Sequence, residues 1–115
     1  MTVKIYHNPR CSKSRQTLEL LRERGVEPAI HEYLKYPPPV SELRELAAML
    51  GIHPIDMVRR NEAEFGAAGL DRGSPDGGTV LAAIHAHPKL LQRPIVVNGE
   101  RAAIGRPPEQ VLTIL

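Results

Sequence analysis

The chain contains no tryptophan, one phenylalanine, three tyrosines and one cysteine in 115 residues. So few aromatic rings leave little surface for stacking nucleic-acid bases. The formal net charge is only +2 and the 15 lysines and arginines are dispersed, so no concentrated basic face is expected and nucleic-acid binding is set aside. No apolar run approaches the roughly 18 residues needed to span a bilayer, and the N-terminus lacks the charged, apolar and small-residue order of a signal peptide. A soluble, cytoplasmic protein with no membrane partner is expected. A lone cysteine cannot form an internal disulfide, which suits a reducing compartment and obliges any redox cycle to borrow its second thiol from another molecule. The length lies near the lower end of the usual range of about 100 to 200 residues per domain, so residues 1–115 are expected to form one domain with a modest core, monomeric by default.

That cysteine, Cys11, stands where the apolar run VKIYHN gives way to a polar, helix-like segment, SKSRQTLELLRER. A helix N-terminus offers unpaired N–H groups and the positive end of the helix dipole, and both favour a thiolate, lowering a free-cysteine pKa of about 8.5 toward roughly 3.5 to 7.5. Many free cysteines are small buried hydrophobes. Here Asn8, Pro9 and Arg10 precede the thiol and Ser12, Lys13 and Ser14 follow it, a polar, cationic turn in which reactivity is the better expectation. Ser14 occupies the place of the second cysteine of a C-x-x-C motif, which excludes an internal dithiol cycle. His7 can act electrostatically on the thiolate or simply close a strand. His85 and His87, two residues apart, diverge on a helix, and no metal site is expected.

Residues 3–7, VKIYH, alternate around β-branched and aromatic positions and predict a strand, which Asn8 and Pro9 interrupt. A helix carrying Leu18, Leu20 and Leu21 on one side should follow Cys11 and end at Gly25, and residues 29–34, AIHEYL, predict a second strand. A helical crossover permits parallel pairing, so the first 34 residues make a βαβ unit. Leu43, Leu46, Ala47 and Leu50 share one helix face, with Gly51 as a stop. Short helices are expected over 54–69, a surface loop over 71–78, and another helix over 79–86, ended by Pro88. PIVV, the dipeptide Asn98-Gly99 and RAAI predict an antiparallel hairpin. A last helix should run over 107–115, with Pro107 at its first position and Val111, Leu112 and Leu115 facing the sheet. The order β, α, β, helices, β, β, α, with a cysteine at the first helix start, is that of a thioredoxin-like α/β fold: a four-stranded mixed sheet flanked by helices, with a helical insertion. Pro94 opens the third strand, where that fold places a cis proline, so a cis Arg93-Pro94 bond is expected.

The segment YHNPRCSKSRQTLELL, residues 6–21, resembles the opening motif of the glutaredoxin-linked arsenate reductase family. MVRRN at 57–61, HPKLLQRPIVV at 87–97 and IGRPPEQVL at 104–112 resemble that family's three arginine-bearing segments in the same order, so the resemblance spans practically the whole chain. It implies that Cys11 is the nucleophile attacking arsenate, that Arg59, Arg93 and Arg106 hold the oxyanion and its adducts, and that His7, Ser12, Ser14 and Pro94 line the site or tune the thiolate. It also implies glutathione as co-substrate, glutaredoxin as partner and no tightly bound cofactor. Arg10, beside the cysteine, departs from the best-known members.

Elementary chemistry agrees with those residue types. A tetrahedral oxyanion repels a thiolate until its charge is neutralised, and guanidinium forks do this with charge-assisted bonds while staying protonated at any relevant pH. An isolated arginine is otherwise just a solvated surface residue. Arg93 and Arg106 each precede a proline where a strand or helix begins, whereas Arg59 and Arg60 would point about 100° apart on a helix and cannot face the thiol equally. Two other readings use the same fold: a thiol oxidoreductase acting on another oxyanion or on a glutathione mixed disulfide, and a regulator that binds RNA polymerase.

Overall fold

The computed structural model describes residues 2–115 and divides into two compact units, one made of the residues up to Tyr36 together with Arg93–Leu115, the other of Pro37–Gln92. The first unit carries β1 (Val3–His7), α1 (Ser12–Glu23), β2 (Ala29–Glu32), β3 (Ile95–Asn98), β4 (Arg101–Ile104) and a 3-10 helix over Pro108–Ile114. Its four strands form one sheet in the order β2-β1-β3-β4, with β1 parallel to β2 and antiparallel to β3, and β3 antiparallel to β4. This is the expected mixed, thioredoxin-like sheet, and the Arg93-Pro94 peptide is cis, as is Arg106-Pro107.

Alpha-helical spacing decides which side of α1 is covered. Ser14, Thr17, Leu18 and Leu21 follow the i, i+3, i+4, i+7 pattern and are all buried, so the covered stripe begins with two hydroxyls and ends with two leucines. Leu18 and Leu21 join Ile5, Val96, Val111 and Ile114 in the core, and each such side chain contributes roughly 1.5 to 3 kcal/mol on burial. Leu20 only borders this cluster.

Four local details differ from the sequence expectation. The second strand stops at Glu32 because the chain turns there: the Lys35 and Tyr36 N–H groups both donate to the Glu32 carbonyl, at 3.0 and 3.1 Å. The hairpin loop is Gly99-Glu100 rather than Asn98-Gly99, since Asn98 pairs with Arg101. Of those residues only Gly99 has positive φ, at 64°, the pattern of a turn with glycine in its first central position. Asn98 instead donates from Nδ2 to the Ile114 carbonyl at 2.8 Å. The last helix is 3-10 and starts at Pro108, with Pro107 as its N-cap. Its three-residue repeat buries Pro108, Val111 and Ile114 and leaves Leu115 exposed and Leu112 at the margin.

The second unit, which follows β2 and precedes β3 in the chain, is the expected helical insertion. It contains α2 (Val40–Leu50), a 3-10 turn at Pro54–Met57, α3 (Ala63–Ala67), α4 (Gly77–Ala86) and a 3-10 turn at Pro88–Leu90. Leu43, Leu46 and Ala47 form the buried face of α2, and Val80, Leu81 and Ile84 that of α4, which α2 contacts. Leu50 is only partly covered. α4 begins two residues before Thr79 because Asp76 caps it, its Oδ1 accepting the Thr79 N–H at 2.8 Å, so the loop ends at Asp76. Among the described residues no helix is long and apolar enough to cross a membrane.

Candidate active site

Strand register gathers the site at one end of the sheet. Tyr6 stands opposite Ile95 and Ile95 opposite Ile104, so one step further His7 faces Pro94 and Pro94 faces Gly105. The Gly105 N–H donates to the Pro94 carbonyl at 2.9 Å. The Cys11 turn leaves the end of β1, Arg93 precedes β3, and Arg106 follows β4. Three segments distant in sequence therefore converge.

The turn itself is set by Asn8. Its carbonyl accepts the Cys11 N–H at 3.0 Å and its side-chain oxygen accepts the Arg10 N–H at 3.0 Å, an Asx turn that delivers Cys11 as the N-cap of α1. Cys11 has the extended backbone of an N-cap, φ −92° and ψ 123°. Ser14 is fully buried one turn on. Its hydroxyl lies 2.6 Å from His7 Nδ1 and accepts the Asn8 N–H at 3.0 Å, tying strand end, turn and helix together. Burial of His7 lowers its pKa despite the opposing pull of Glu32, which keeps the ring neutral through physiological pH. Ser12 is exposed at the first position of α1.

Around the sulfur, partial burial raises the thiol pKa, but hydrogen bonds from the Ser14 backbone N–H and the Arg93 side chain, the charge of Arg93 and the Lys13 backbone N–H together outweigh it, and the net shift is downward. Arg106 adds a contact from Nη2 to Sγ at 3.8 Å. Its guanidinium is anchored, because Nε donates to the Arg93 carbonyl at 2.8 Å. The Arg93 Nε is buried and has no hydrogen-bond acceptor among the described residues. The local chemistry is a stabilised thiolate with backbone donors on one side and two guanidiniums on the other.

The downward shift fixes a sign. Thiolate is populated above the depressed pKa and lost as pH falls through it, so the alkylation rate of Cys11 by iodoacetamide is expected to rise with a midpoint below the roughly 8.5 of a free cysteine. A midpoint at or above that value would contradict the geometry.

Arg59 belongs to the second unit. Its Nε lies 3.3 Å from Glu62 Oε1, both side chains being mostly covered, and its N–H donates to the Leu90 carbonyl at 2.7 Å beside the Val58–Leu91 bridge. Arg60 is exposed, 3.9 Å from Asp56. Neither arginine is on a helix, contrary to expectation: the 3-10 turn ends at Met57 and Val58 is extended, with φ −100° and ψ 137°. Arg60 instead lies in a turn that leads into α3, the Glu62 N–H donating to the Arg59 carbonyl at 3.4 Å.

Gly105 was not singled out by its sequence context, yet it is the tightest point of the site. A Cβ there would lie 2.7 Å from Thr17 Oγ1 and 2.8 Å from Pro94 Cγ. Gly105→Ala is expected to lower stability by about 1 to 3 kcal/mol, the usual range for overpacking, read as a reduced urea midpoint. An unchanged midpoint would show that the three segments have slack.

Comparison with known proteins agrees with this arrangement. The ArsC family model matches residues 6–114. The arsenate reductase of Haemophilus influenzae is 46% identical over 116 residues, covering all of both chains, and the uncharacterized protein YfgD of Escherichia coli is 47% identical over 114 residues, 98% of this chain and 96% of that protein. The solved structure of the arsenate reductase from Vibrio cholerae superposes with a TM-score of 0.96 at 46% identity, covering 100% of this chain and 98% of that one. A family match over nearly every residue, relatives alike along their whole length, and a shared fold together establish that the chain belongs to the ArsC family.

Proposed function

We propose that this protein is an arsenate reductase that uses Cys11 as its only redox thiol, with glutathione and glutaredoxin completing the reduction. The observation that carries the reading is the meeting of a pKa-lowered Cys11 with the anchored guanidinium of Arg106 and the unsatisfied donor of Arg93. An oxyanion supplies the acceptor that the Arg93 donor lacks, and its neutralised charge lets a thiolate approach.

The Cys11 thiolate attacks arsenic, an S–As bond forms, and one arsenate oxygen departs as water after protonation. Glutathione thiolate displaces a second oxygen in the same way. A glutaredoxin thiolate then attacks the glutathione sulfur, a disulfide forms between those two, and the electron pair of the broken S–As bond reduces As(V) to As(III). Hydrolysis releases arsenite and returns the Cys11 thiol. Arg59 is assigned with Arg93 and Arg106 to the oxyanion. His7 and Ser14 hold the turn, and Ser12 and Pro94 line the site. The reaction needs a reducing compartment rich in glutathione, which favours the cytoplasm.

The test is arsenite formation from arsenate with glutathione, glutaredoxin and NADPH-coupled recycling. Turnover that requires both thiol partners is the expected result, and a folded, thiol-reactive protein that forms no arsenite would overturn the reading.

A further inference from the structure

Arg10 is a cation beside the cysteine for which the steps above have no use. It lines a pocket of about 220 Å³ in the first unit, together with His7, Pro9, Glu32, Leu34 and Lys35. The pocket therefore opens between the segment that presents Cys11 and the turn that ends β2. Its charges have a definite pattern. Arg10 and Lys35 are exposed cations, and Glu32 is the only acid on the lining. Lys35 Nζ lies 3.5 Å from Glu32 Oε1 in a solvent-exposed pair, a contact weak enough to be exchanged for a ligand. Pro9 and Leu34 supply apolar wall. The volume is below the roughly 300 Å³ at which whole small-molecule sites begin, so the pocket suits one arm of a ligand whose remainder extends out of it.

Two cations and one carboxylate complement a molecule with two carboxylates and one ammonium. Cys11 is not on the lining, but Asn8, Pro9 and Arg10 are, so a ligand held there borders the turn that carries the thiol, and its reacting end lies on the part that extends out of the pocket. We infer that this pocket is the docking subsite for the peptide body of the thiol co-substrate, a zwitterionic, carboxylate-rich thiol peptide of which glutathione is the member used above. Arg10 and Lys35 receive its carboxylates and Glu32 its ammonium. The inference rests on the proposal that glutathione serves this cysteine, and it gives Arg10 the task of selecting the thiol, leaving the oxyanion to Arg59, Arg93 and Arg106.

The experiment needs no arsenate. When Cys11 thiolate attacks oxidised glutathione, a Cys11–glutathione disulfide forms and the second glutathione leaves as its thiolate, with no other reactant consumed. The second-order rate is measured against that for bis(2-hydroxyethyl) disulfide, which is uncharged, and the ratio of the two is the readout. In the double variant Arg10→Gln, Lys35→Gln the ratio is expected to fall about tenfold, as two partly exposed charge contacts warrant. Taking the ratio cancels any change in Cys11 reactivity itself. In Lys13→Gln, which removes an exposed cation of α1 outside the pocket, it is expected to move less than about twofold. An unchanged ratio in the double variant, or an equal fall in Lys13→Gln, would overturn the assignment and leave only a diffuse positive field. Failure of the arsenate reading would appear separately, as a native protein that makes no arsenite while keeping its selectivity for oxidised glutathione.

Discussion

Cys11→Ser is expected to abolish arsenate turnover, by at least about 1,000-fold or 4 kcal/mol in the barrier, while leaving the fold as stable as before or slightly more so. The two halves of that expectation have separate causes. A serine hydroxyl remains protonated at any usable pH, so the donors that hold the thiolate have no anion to stabilise. The position, however, is the N-cap of α1, where serine is among the preferred residues and its hydroxyl is a stronger acceptor for the first-turn N–H groups than a neutral thiol. A gain of up to about 1 kcal/mol is consistent with a cap formed by the new hydroxyl. Urea unfolding and arsenite formation measured on one preparation distinguish this from a folding defect. Residual turnover above background would mean that Cys11 is not the nucleophile.

Arg93→Ala and Arg106→Ala are each expected to reduce kcat/KM for arsenate by about 100-fold, near 3 kcal/mol, the scale on which removal of one oxyanion donor is felt. Neither should harm folding much. Arg93 loses a buried Nε that has no acceptor among the described residues, and Arg106 a side chain whose one anchoring bond is to a carbonyl. Arg106→Lys separates charge from shape. A lysine keeps the cation but lacks the fork that places one nitrogen on the Arg93 carbonyl and another on the sulfur, so recovery should be partial. Full activity in the lysine variant would show that charge alone suffices. The alkylation midpoint of Cys11 should rise in Arg93→Ala, because both a hydrogen bond and a charge that favour the thiolate are removed.

Much of this arrangement is legible in the residues alone, for identifiable reasons. The Cys11 turn shows because Asn8 and Pro9 are turn formers followed by a helix-period segment, and α2 shows because Leu43, Leu46 and Ala47 repeat on one face. What escapes notice depends on contacts between distant segments. Gly105 looks like an ordinary loop glycine until the β3–β4 register sets it against Pro94 and Thr17. Ser14 is expected at the site, but nothing in its polar neighbourhood shows that it and Thr17 begin the buried stripe of α1. The C-terminal segment misleads differently. Val111 fits both a 3.6-residue and a 3-residue repeat, and only the second buries Ile114 in place of Leu115. At Arg59 and Arg60 the error lies in extending helical geometry past Met57, where the backbone has already become extended.

The first unit is discontinuous, with residues 37–92 lying between the segments that complete it. On a ribosome Cys11 emerges well before Arg93, which draws its thiol toward the anion, and before Arg106, which contacts its sulfur. Pairing β3 with β1 across that intervening length adds little to the cost of closing the loop, which grows only logarithmically, but it delays the pairing until residues 37–92 have been made. The nascent chain thus carries a less activated cysteine until Arg93 has emerged and β3 has paired, so a product that stops short of Arg93 is chemically quieter than one that includes it.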